Sequence, residues 1–488
     1  MNSHELLNQL KKFSPEFINL SKLEVASESL EQFQIAKLTT NMQEADDQSV
    51  AFYQVSNTEH SKKLFEERYN LLKSKPALLV LNNSIDKKWL SSLNLNALAL
   101  ISAEDFLPLQ KVLCDELYPN KNKLKLVGVT GTNGKTTTVN LCVQLAQLFQ
   151  LKSLSLGTLG LQNADGLLLN LDSTTPSYVD LRKLIYRVQD EYDALFMEVS
   201  SHALVQKRLF DLKLEHAAFM SFSQDHLDYH HTLEEYFDAK MLIANVYLKQ
   251  GGVLICPQAE KVLIQKINQT KNQNTFHFEL APTLNERKVL NPPLFYQSRY
   301  NQSNLEVAML LVEKIIGQKI ESIDLNLLKT PAGRFKIVEI GETAMAIIDY
   351  AHTPDALINI GAAIREAFPL HKLVTLFGCG GNRDKSKRPL MAKAVESFSD
   401  RVVITSDNPR DENPEDIILD IIKGMSKSYD AMIDRKEAII QALDELDEGE
   451  ILLIAGKGHE EYQEIKGVKY SFSDLQIVLD YKNQMELE

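Results

Sequence analysis

The feature that most constrains this chain is the run Gly128-Val-Thr-Gly-Thr-Asn-Gly-Lys-Thr-Thr-Thr138, set between an apolar segment at 124–129 and a helical pattern. In that pattern Val139, Cys142, Val143, Ala146 and Phe149 recur three or four residues apart, the spacing of one helix face. A strand that turns through glycines into a helix lines up backbone N–H groups and the positive end of the helix dipole against an anion. Lys135 in such a loop reaches the outer phosphates of a nucleotide, and the Thr136 hydroxyl a magnesium ion. The strict spacing asks for glycine at 129, where Val129 stands with Gly128 and Gly131 nearby. A plain glycine turn does not account for a lysine followed by three threonines. The loop is expected to bind ATP or GTP.

At 488 residues the chain is long enough for about three domains of roughly 150 residues. The formal charge of −13 argues against a nucleic-acid partner, which needs a basic face. Cys114, Cys142, Cys256 and Cys379 are far apart and form no CxxC pair, which fits a reducing compartment without structural disulfides or a cysteine zinc site. Residues 1–14 lack an apolar signal-like core, and no apolar run approaches ~18 residues. No membrane insertion and a cytoplasmic location are expected.

The fold class is read as α/β in three domains. Residues 1–120 form a small α/β domain with buried-strand candidates at 77–81 and 97–101, and 119–123 read as a linker. Residues 121–330 form a central P-loop mononucleotide-binding domain with a parallel-sheet-rich core, whose later strands are expected at 194–199 and 217–222. Pro331-Ala-Gly333 reads as a hinge. Residues 331–488 then alternate strand and helix, with strands at 346–348, 373–377, 402–405 and 451–455, the pattern of a Rossmann-like doubly wound domain. Each of these strands runs into a polar or glycine-rich loop: Asp349-Tyr-Ala-His352, Gly378-Cys-Gly-Gly-Asn-Arg383, Asp407-Asn-Pro-Arg410 and Gly456-Lys-Gly-His-Glu460. Ligands of open parallel sheets bind outside the carboxyl ends of the strands, where such loops converge.

Three further positions carry chemistry. Glu198 ends a buried strand near the P-loop, where an acid commonly holds the magnesium of a nucleotide; a helix cap is the plainer reading. The cluster Asp225-His226-Leu-Asp228-Tyr-His230 offers ligands for a second cation, although a histidine there also serves as a hydrogen-bonding partner. Lys240 falls on the apolar face of a helix that opens with the capping box Thr232…Glu235, among Leu233, Tyr236, Phe237, Ala244, Tyr247 and Leu248. A lysine there either snorkels to the edge or is desolvated with a lowered pKa. A neutral amine takes up carbon dioxide as a carbamate, an anion suited to magnesium.

With these residues in place the chain resembles the Mur ligases, ATP-dependent enzymes that extend the peptide of the bacterial cell-wall precursor, and among them the third-residue ligases of the meso-diaminopimelate-adding type. The resemblance covers roughly 124–475 and rests on Thr130-Gly-Thr-Asn-Gly-Lys-Thr136, Glu198-Val-Ser-Ser-His202, Asp225-His-Leu-Asp-Tyr-His230, Asp349-Tyr-Ala-His-Thr-Pro354, the segment 378–391, Asp407-Asn-Pro-Arg410 and Gly456-Lys-Gly-His-Glu460. It implies that ATP is held by Gly131, Thr132, Asn133, Gly134, Lys135, Thr136 and Thr137, with Asn301, Arg334, Asp349 and His352. It implies one magnesium ion on Thr136 and Glu198 and a second on His226 and a carbamylated Lys240. Thr174, Thr175, Ser200, Gln206 and Arg208 match contacts to the acceptor, UDP-MurNAc-L-Ala-D-Glu. Arg383, Asp407, Asn408, Pro409, Arg410, Gly456 and Glu460 match contacts to meso-diaminopimelate, whose second carboxylate suits a guanidinium fork. The implied enzyme is a monomer that activates a carboxylate as an acyl phosphate. The first region departs from the family, with Leu38-Thr-Thr-Asn41 where relatives carry Asp-Ser-Arg, and Lys336 stands where an acid is usual. Two other functions remain open at this point: a related ligase acting on a recycled murein peptide or of folylpolyglutamate type, and a non-catalytic nucleotide-binding regulator.

Overall fold

A computed structural model describes residues 17–18, 35–91, 93, 95–171, 173–270, 276–341 and 343–485. The chain divides into two compact units. The first comprises Met1–Lys125, Thr175–Leu195 and His202–Lys213, and the second Leu126–Thr174, Phe196–Ser201 and Leu214–Glu488. No described helix is long and apolar enough to cross a membrane.

The first unit is built on β1 (Phe17–Ile18), β2 (Lys37–Thr39), β3 (Ser49–Tyr53), β4 (Leu78–Asn82) and β5 (Leu98–Ile101), in the order β1-β5-β4-β3-β2. β2 to β5 are parallel and β1 is antiparallel. The strand candidates at 77–81 and 97–101 coincide with β4 and β5, whose residues are all buried. Unbroken apolar runs of this kind mark strands covered on both faces. The helix Tyr178–Val188 is capped by Ser177, whose hydroxyl accepts from the N–H of Asp180. Its buried Arg182 donates to the Tyr178 hydroxyl at 2.7 Å, Asp115 at 2.8 Å and the Tyr118 carbonyl at 3.1 Å.

An eight-stranded sheet carries the phosphate loop. It contains β6 (Lys125–Thr130), β7 (Ser153–Gly157), β8 (Gly160–Asn163), β9 (Gly166–Leu169), β10 (Ala194–Glu198), β11 (His216–Phe219), β12 (Val253–Pro257) and β13 (His277–Ala281), in the order β13-β12-β11-β6-β10-β7-β8-β9. β6, β11, β12 and β13 run parallel, while β7, β8 and β9 form an antiparallel meander. The strand expected at 217–222 ends at Phe219, because the next residues leave the ladder to hold the phosphate loop. A short parallel ladder, β14 (Lys288–Leu290) with β15 (Ser322–Asp324), follows.

The last sheet holds β16 (Lys336–Ile340), β17 (Ala344–Asp349), β18 (Lys372–Phe377), β19 (Arg401–Thr405), β20 (Asp430–Met432) and β21 (Glu450–Ala455), ordered β16-β17-β21-β18-β19-β20. All neighbours are parallel except β16, which pairs antiparallel with β17 at the edge. Parallel pairing puts the carboxyl ends of β17, β18, β19 and β21, and so all four polar loops, along one edge of the sheet. A hairpin of β22 (Tyr462–Ile465) and β23 (Val468–Ser471) follows.

One buried ion pair braces this edge. Arg435 and Asp474, each 0% exposed, are joined by two hydrogen bonds of 2.8 Å. Arg435 also donates to the carbonyls of Ala455 at 3.0 Å and Ser406 at 3.4 Å, the residues that lead into Gly456 and Asp407. Removing one member of such a pair strands the other charge and costs about 3–5 kcal/mol. Asp474→Asn is therefore expected to lower the thermal midpoint markedly, and an unaltered melting curve would contradict it.

Candidate active site

The phosphate loop follows β6 and leads into the helix Lys135–Leu148. Two glycines make the turn feasible. Gly131 and Gly134 have φ of +147° and +88°, and a Cβ on Gly134 would lie 2.6 Å from Asn304 Oδ1. The loop is held from the segment after β11: Ser221 O accepts from Thr132 N and Ser221 Oγ from Asn133 N, both at 2.9 Å, and Ser223 O accepts from Thr132 Oγ1 at 3.1 Å. Asn133 Nδ2 donates to Asp355 at 3.0 Å. Asp355 lies in the first turn of the helix Pro354–Ala367, which Thr353 caps.

Lys135 folds back onto its own loop, donating to the carbonyls of Gly131 and Thr132, both at 2.9 Å. Lys240 approaches the same Gly131 carbonyl, also at 2.9 Å, with its Nζ 4.5 Å from the centre of the Tyr236 ring. Lys240 is 2% exposed, so of the two sequence readings it is desolvated and does not snorkel. Burial, then the neighbouring Lys135 charge, pull its pKa well down, against a smaller opposing effect of Asp225. Its helix begins as the sequence predicts, with Thr232 Oγ1 accepting from Glu235 N at 3.1 Å.

Glu198, 1% exposed, ends β10. Its carboxylate accepts from Thr158 N at 2.9 Å and from Thr158 Oγ1 at 3.3 Å, and that hydroxyl lies 3.2 Å from Thr174 Oγ1. Gly157 makes the cradle, because a Cβ there would sit 2.0 Å from the Glu198 carboxylate. Ser200, two residues beyond Glu198, precedes Ser201, whose hydroxyl lies 2.9 Å from His230 Nε2. Asp225 is buried between Lys387 Nζ at 3.4 Å and His226 Nε2 at 3.3 Å. Burial raises the Asp225 carboxyl, but Lys387, His226 and His352 outweigh it and hold the pKa below the usual carboxylate range. Among the described residues no group of three or more His, Cys, Asp or Glu forms a metal cage by itself.

Of four residues distant in sequence, Arg334 and, through Asn304, Asn301 approach the loop, while Asp349 and His352 bond to Phe335, Ala351 and Tyr350. Arg334 reaches Thr136 Oγ1 at 3.5 Å and its guanidinium lies 4.8 Å from the Tyr350 ring centre. Buried Asp349 accepts from Phe335 N and Ala351 N, both at 2.8 Å. Burial raises its pKa and Arg334 opposes the rise. His352 Nδ1 lies 2.8 Å from the Tyr350 carbonyl, and burial together with Lys387 lowers the pKa to about 4. Asn301, in the first turn of the helix Arg299–Ile316, donates to Phe295 O at 3.0 Å and contacts Asn304, the neighbour of Gly134. Thr137 is buried behind the loop.

A second cluster forms where the loops after β19 and β21 meet. Lys457, fully buried, donates to Asn408 and Glu460, each at 3.0 Å, and reaches Asp407 at 3.5 Å. Asn408 Nδ2 donates to the same Glu460 oxygen at 2.8 Å. Gly456 allows the approach, with φ of +117° and Asp407 Oδ2 3.1 Å from where a Cβ would stand. Arg410 donates to Glu464 at 3.1 Å and to the Gly381 carbonyl at 2.8 Å, and Pro409 O packs against Gly381. Arg383 is exposed and borders the same loop: a Cβ on Gly380 would stand 2.9 Å from Arg410 Nη1 and 3.8 Å from Arg383 Cγ. The sequence reading assigns no role to Lys457 or Lys387, and names Asp225 only within the cluster 225–230 offered for a second cation. Each lies within or beside a polar motif, and burial is what distinguishes it.

The expected acceptor contacts divide between the units. In the first, Arg208 donates to Gln206 Oε1 at 2.8 and 3.0 Å and to the Thr175 carbonyl. Thr174 and Ser200 belong to the second. In the first unit Thr40 Oγ1 donates to Ser177 Oγ at 2.8 Å, so the altered Leu38-Thr-Thr-Asn41 segment supplies a hydroxyl and no cation.

A phosphate loop on one parallel-rich sheet, with a polar cluster on the edge of a second, defines an α/β protein of the nucleotide-binding class. Residues 129–312 match the Mur ligase middle domain and residues 333–458 the Mur ligase glutamate ligase domain. The chain belongs to the Mur ligase family. It is 38% identical over 381 residues to the UDP-N-acetylmuramoyl-L-alanyl-D-glutamate--2,6-diaminopimelate ligase of Bacteroides fragilis, covering 73% of this chain and 78% of that one. To the enzyme of the same name from Cytophaga hutchinsonii it is 37% identical over 402 residues, covering 78% and 82%. A solved structure of a ligase of this name aligns with TM-score 0.53 and 26% identity over 93% of this chain and 95% of that one. The MurF ligase from Thermotoga maritima in complex with ADP shares the fold, with TM-score 0.58 and 14% identity over 93% and 98%.

Proposed function

We propose that this chain is an ATP-dependent amide ligase that adds meso-diaminopimelate to the D-glutamate side-chain carboxylate of UDP-MurNAc-L-Ala-D-Glu. The observation that carries the reading is the convergence of Lys135 and the buried Lys240 on the Gly131 carbonyl. It gathers cationic and carbamate-forming nitrogen where a phosphoryl group would lie. In this reading residues 1–120 receive the uridine end of the acceptor, 121–330 ATP and 331–488 the amino acid. The enzyme acts as a monomer in the cytoplasm, where ATP is supplied and its four free, buried cysteines stay reduced.

In the first step an oxygen of the acceptor carboxylate attacks the γ-phosphorus and ADP departs, leaving an acyl phosphate. Two anions must approach, so the site has to neutralise charge. Lys135 exchanges its loop carbonyls for phosphate oxygens, Arg334 approaches beside Thr136, and Asn301, Asp349 and His352 fix the rest of the nucleotide. Thr174, Thr175, Ser200, Gln206 and Arg208 hold the acceptor. In the second step the neutral amine attacks the acyl carbon, phosphate leaves, and the new amide nitrogen gives up a proton. This step is largely one of positioning. Arg410 and Arg383 take the distal carboxylate, and Asp407, Asn408, Gly456 and Glu460 the polar remainder.

Magnesium fits the residues present. Magnesium keeps several waters and shares substrate phosphates with one or two carboxylates, and does not need a full protein cage. Glu198, clamped in its glycine cradle near the Thr136 loop, and His226 with a carbamylated Lys240 are such donors. When bound, the ion supplies electrostatic stabilisation of the phosphoryl oxygens.

The test is phosphate release with UDP-MurNAc-L-Ala-D-Glu, comparing meso-diaminopimelate with L-lysine and identifying the product by mass. Turnover with meso-diaminopimelate and at least tenfold less with lysine is expected. Turnover only with a UDP-free acceptor, or equal use of lysine, would overturn the reading.

A further inference from the structure

We propose that the β22–β23 hairpin, through Gln463 and Glu464, sets the amino-acid specificity of this ligase by holding residues 407–410 in their binding shape. The inference rests on the reading that those residues receive the incoming amino acid. The hairpin lies beyond residues 333–458, the segment that matches the family's C-terminal domain, so it is not part of what that match describes.

β22 grips this loop along its length. Gln463 Nε2 donates to the Asp407 carbonyl at 2.7 Å, and Glu464 N donates to Asn408 Oδ1 at 2.9 Å. Arg410 N donates to Glu464 O at 3.0 Å and Lys466 N to Arg410 O at 2.8 Å, so Arg410 and Ile465 form a parallel bridge. The Glu464 carboxylate then accepts from Arg410 Nε at 3.1 Å. Arg410 needs this grip because its φ is +51°. A bulky side chain in the left-handed region is disfavoured and persists only where the surroundings over-determine it.

The hairpin is a stiff template. Its strands pair from Tyr462↔Ser471 to Ile465↔Val468 across a two-residue turn, Lys466-Gly467, with φ of +49° and +76°. Two positive φ values give the turn that matches strand twist. Glu464 on Nε and the Gly381 carbonyl on Nη1 together fix the plane of the guanidinium. A planar fork discriminates carboxylates only when its orientation is set. Gln463 and Glu464 are therefore positioning residues, acting through Asp407 and Arg410.

The experiment uses the full chain with saturating ATP and acceptor, and varies the amino acid. Glu464→Ala is expected to raise KM for meso-diaminopimelate about tenfold, with kcat and KM for ATP within twofold of wild type. Glu464→Gln, which keeps an acceptor for Nε, should restore most of that loss, and Gln463→Ala should shift the same KM about threefold. The proposal is overturned if both alanine variants leave the amino-acid KM within twofold, or if KM for ATP rises in parallel. Should Glu464→Ala fail to fold, Gln463→Ala and Glu464→Gln decide by the same criteria. A wild-type chain that ignores meso-diaminopimelate but uses another amino acid refutes the substrate assignment, and the same KM comparison with that amino acid still tests the hairpin.

Discussion

Lys240→Ala is expected to slow phosphate release by on the order of 10²–10³-fold, comparable to the loss of one preorganised electrostatic group such as an oxyanion-hole donor, while the chain stays folded. The side chain is withdrawn from water and its ammonium is disfavoured there by burial and by Lys135. Without the amine the Gly131 carbonyl still accepts from Lys135, so the fold should persist, whereas a carbamate would add an anion beside the phosphate loop. A carbon-13 carbamate signal after incubation with labelled bicarbonate is expected in the wild type and not in the variant. A linked effect separates chemistry from packing. In the folded chain Lys240 titrates well below its ordinary 10.5, so between those two values the unfolded chain binds one more proton. In carbon-dioxide-free buffer wild-type stability should therefore rise with pH across that window, and Lys240→Ala should lack that part of the slope. A variant with normal turnover would remove Lys240 from the mechanism.

Arg410→Ala is expected to abolish most meso-diaminopimelate-dependent ADP release, by a hundredfold or more in kcat/KM, with ATP binding intact. Each charge-assisted hydrogen bond to a carboxylate contributes about 1.5–3 kcal/mol, and a guanidinium makes two. The same change leaves Glu464 without its cation, yet that carboxylate is partly exposed and remains solvated, so the fold should persist. Arg410→Lys is expected to recover little, since an ammonium cannot reproduce the fork. Steady-state kinetics with the amino acid varied, beside nucleotide titration, check both statements. Unchanged kinetics with meso-diaminopimelate would show that the distal carboxylate is bound elsewhere.

Motif and period carried the parts of this molecule whose local chemistry is strong. The phosphate loop, the capping box of Lys240's helix and the apolar strands β4, β5, β18 and β21 are legible because glycine turns, a Thr…Glu cap and unbroken apolar runs have local causes. β16 and the hairpin were not legible. Lys-Ile-Val-Glu-Ile and Tyr-Gln-Glu-Ile mix charge into short strands that are edges or half-exposed, so neither shows a period. The fate of Lys240 was also undecidable locally, since snorkelling and desolvation need the same helix face; Gly131's carbonyl and the Tyr236 ring decide it. Lys457 and Arg435 are harder still. Their sequence surroundings are polar, and only the tertiary meeting of β19, β21 and the final helix turns them into buried cations with assigned acceptors.

The resting grip of Lys135 on two carbonyls of its own loop has a consequence for ligand discrimination. An incoming anion must first replace those bonds, so a hydrogen-bonding group of no charge gains almost nothing by entering. What remains as driving force is the number of negative charges delivered, which favours long polyphosphate tails over orthophosphate. The grip thus screens small anions, and nucleotide affinity should weaken as ionic strength rises.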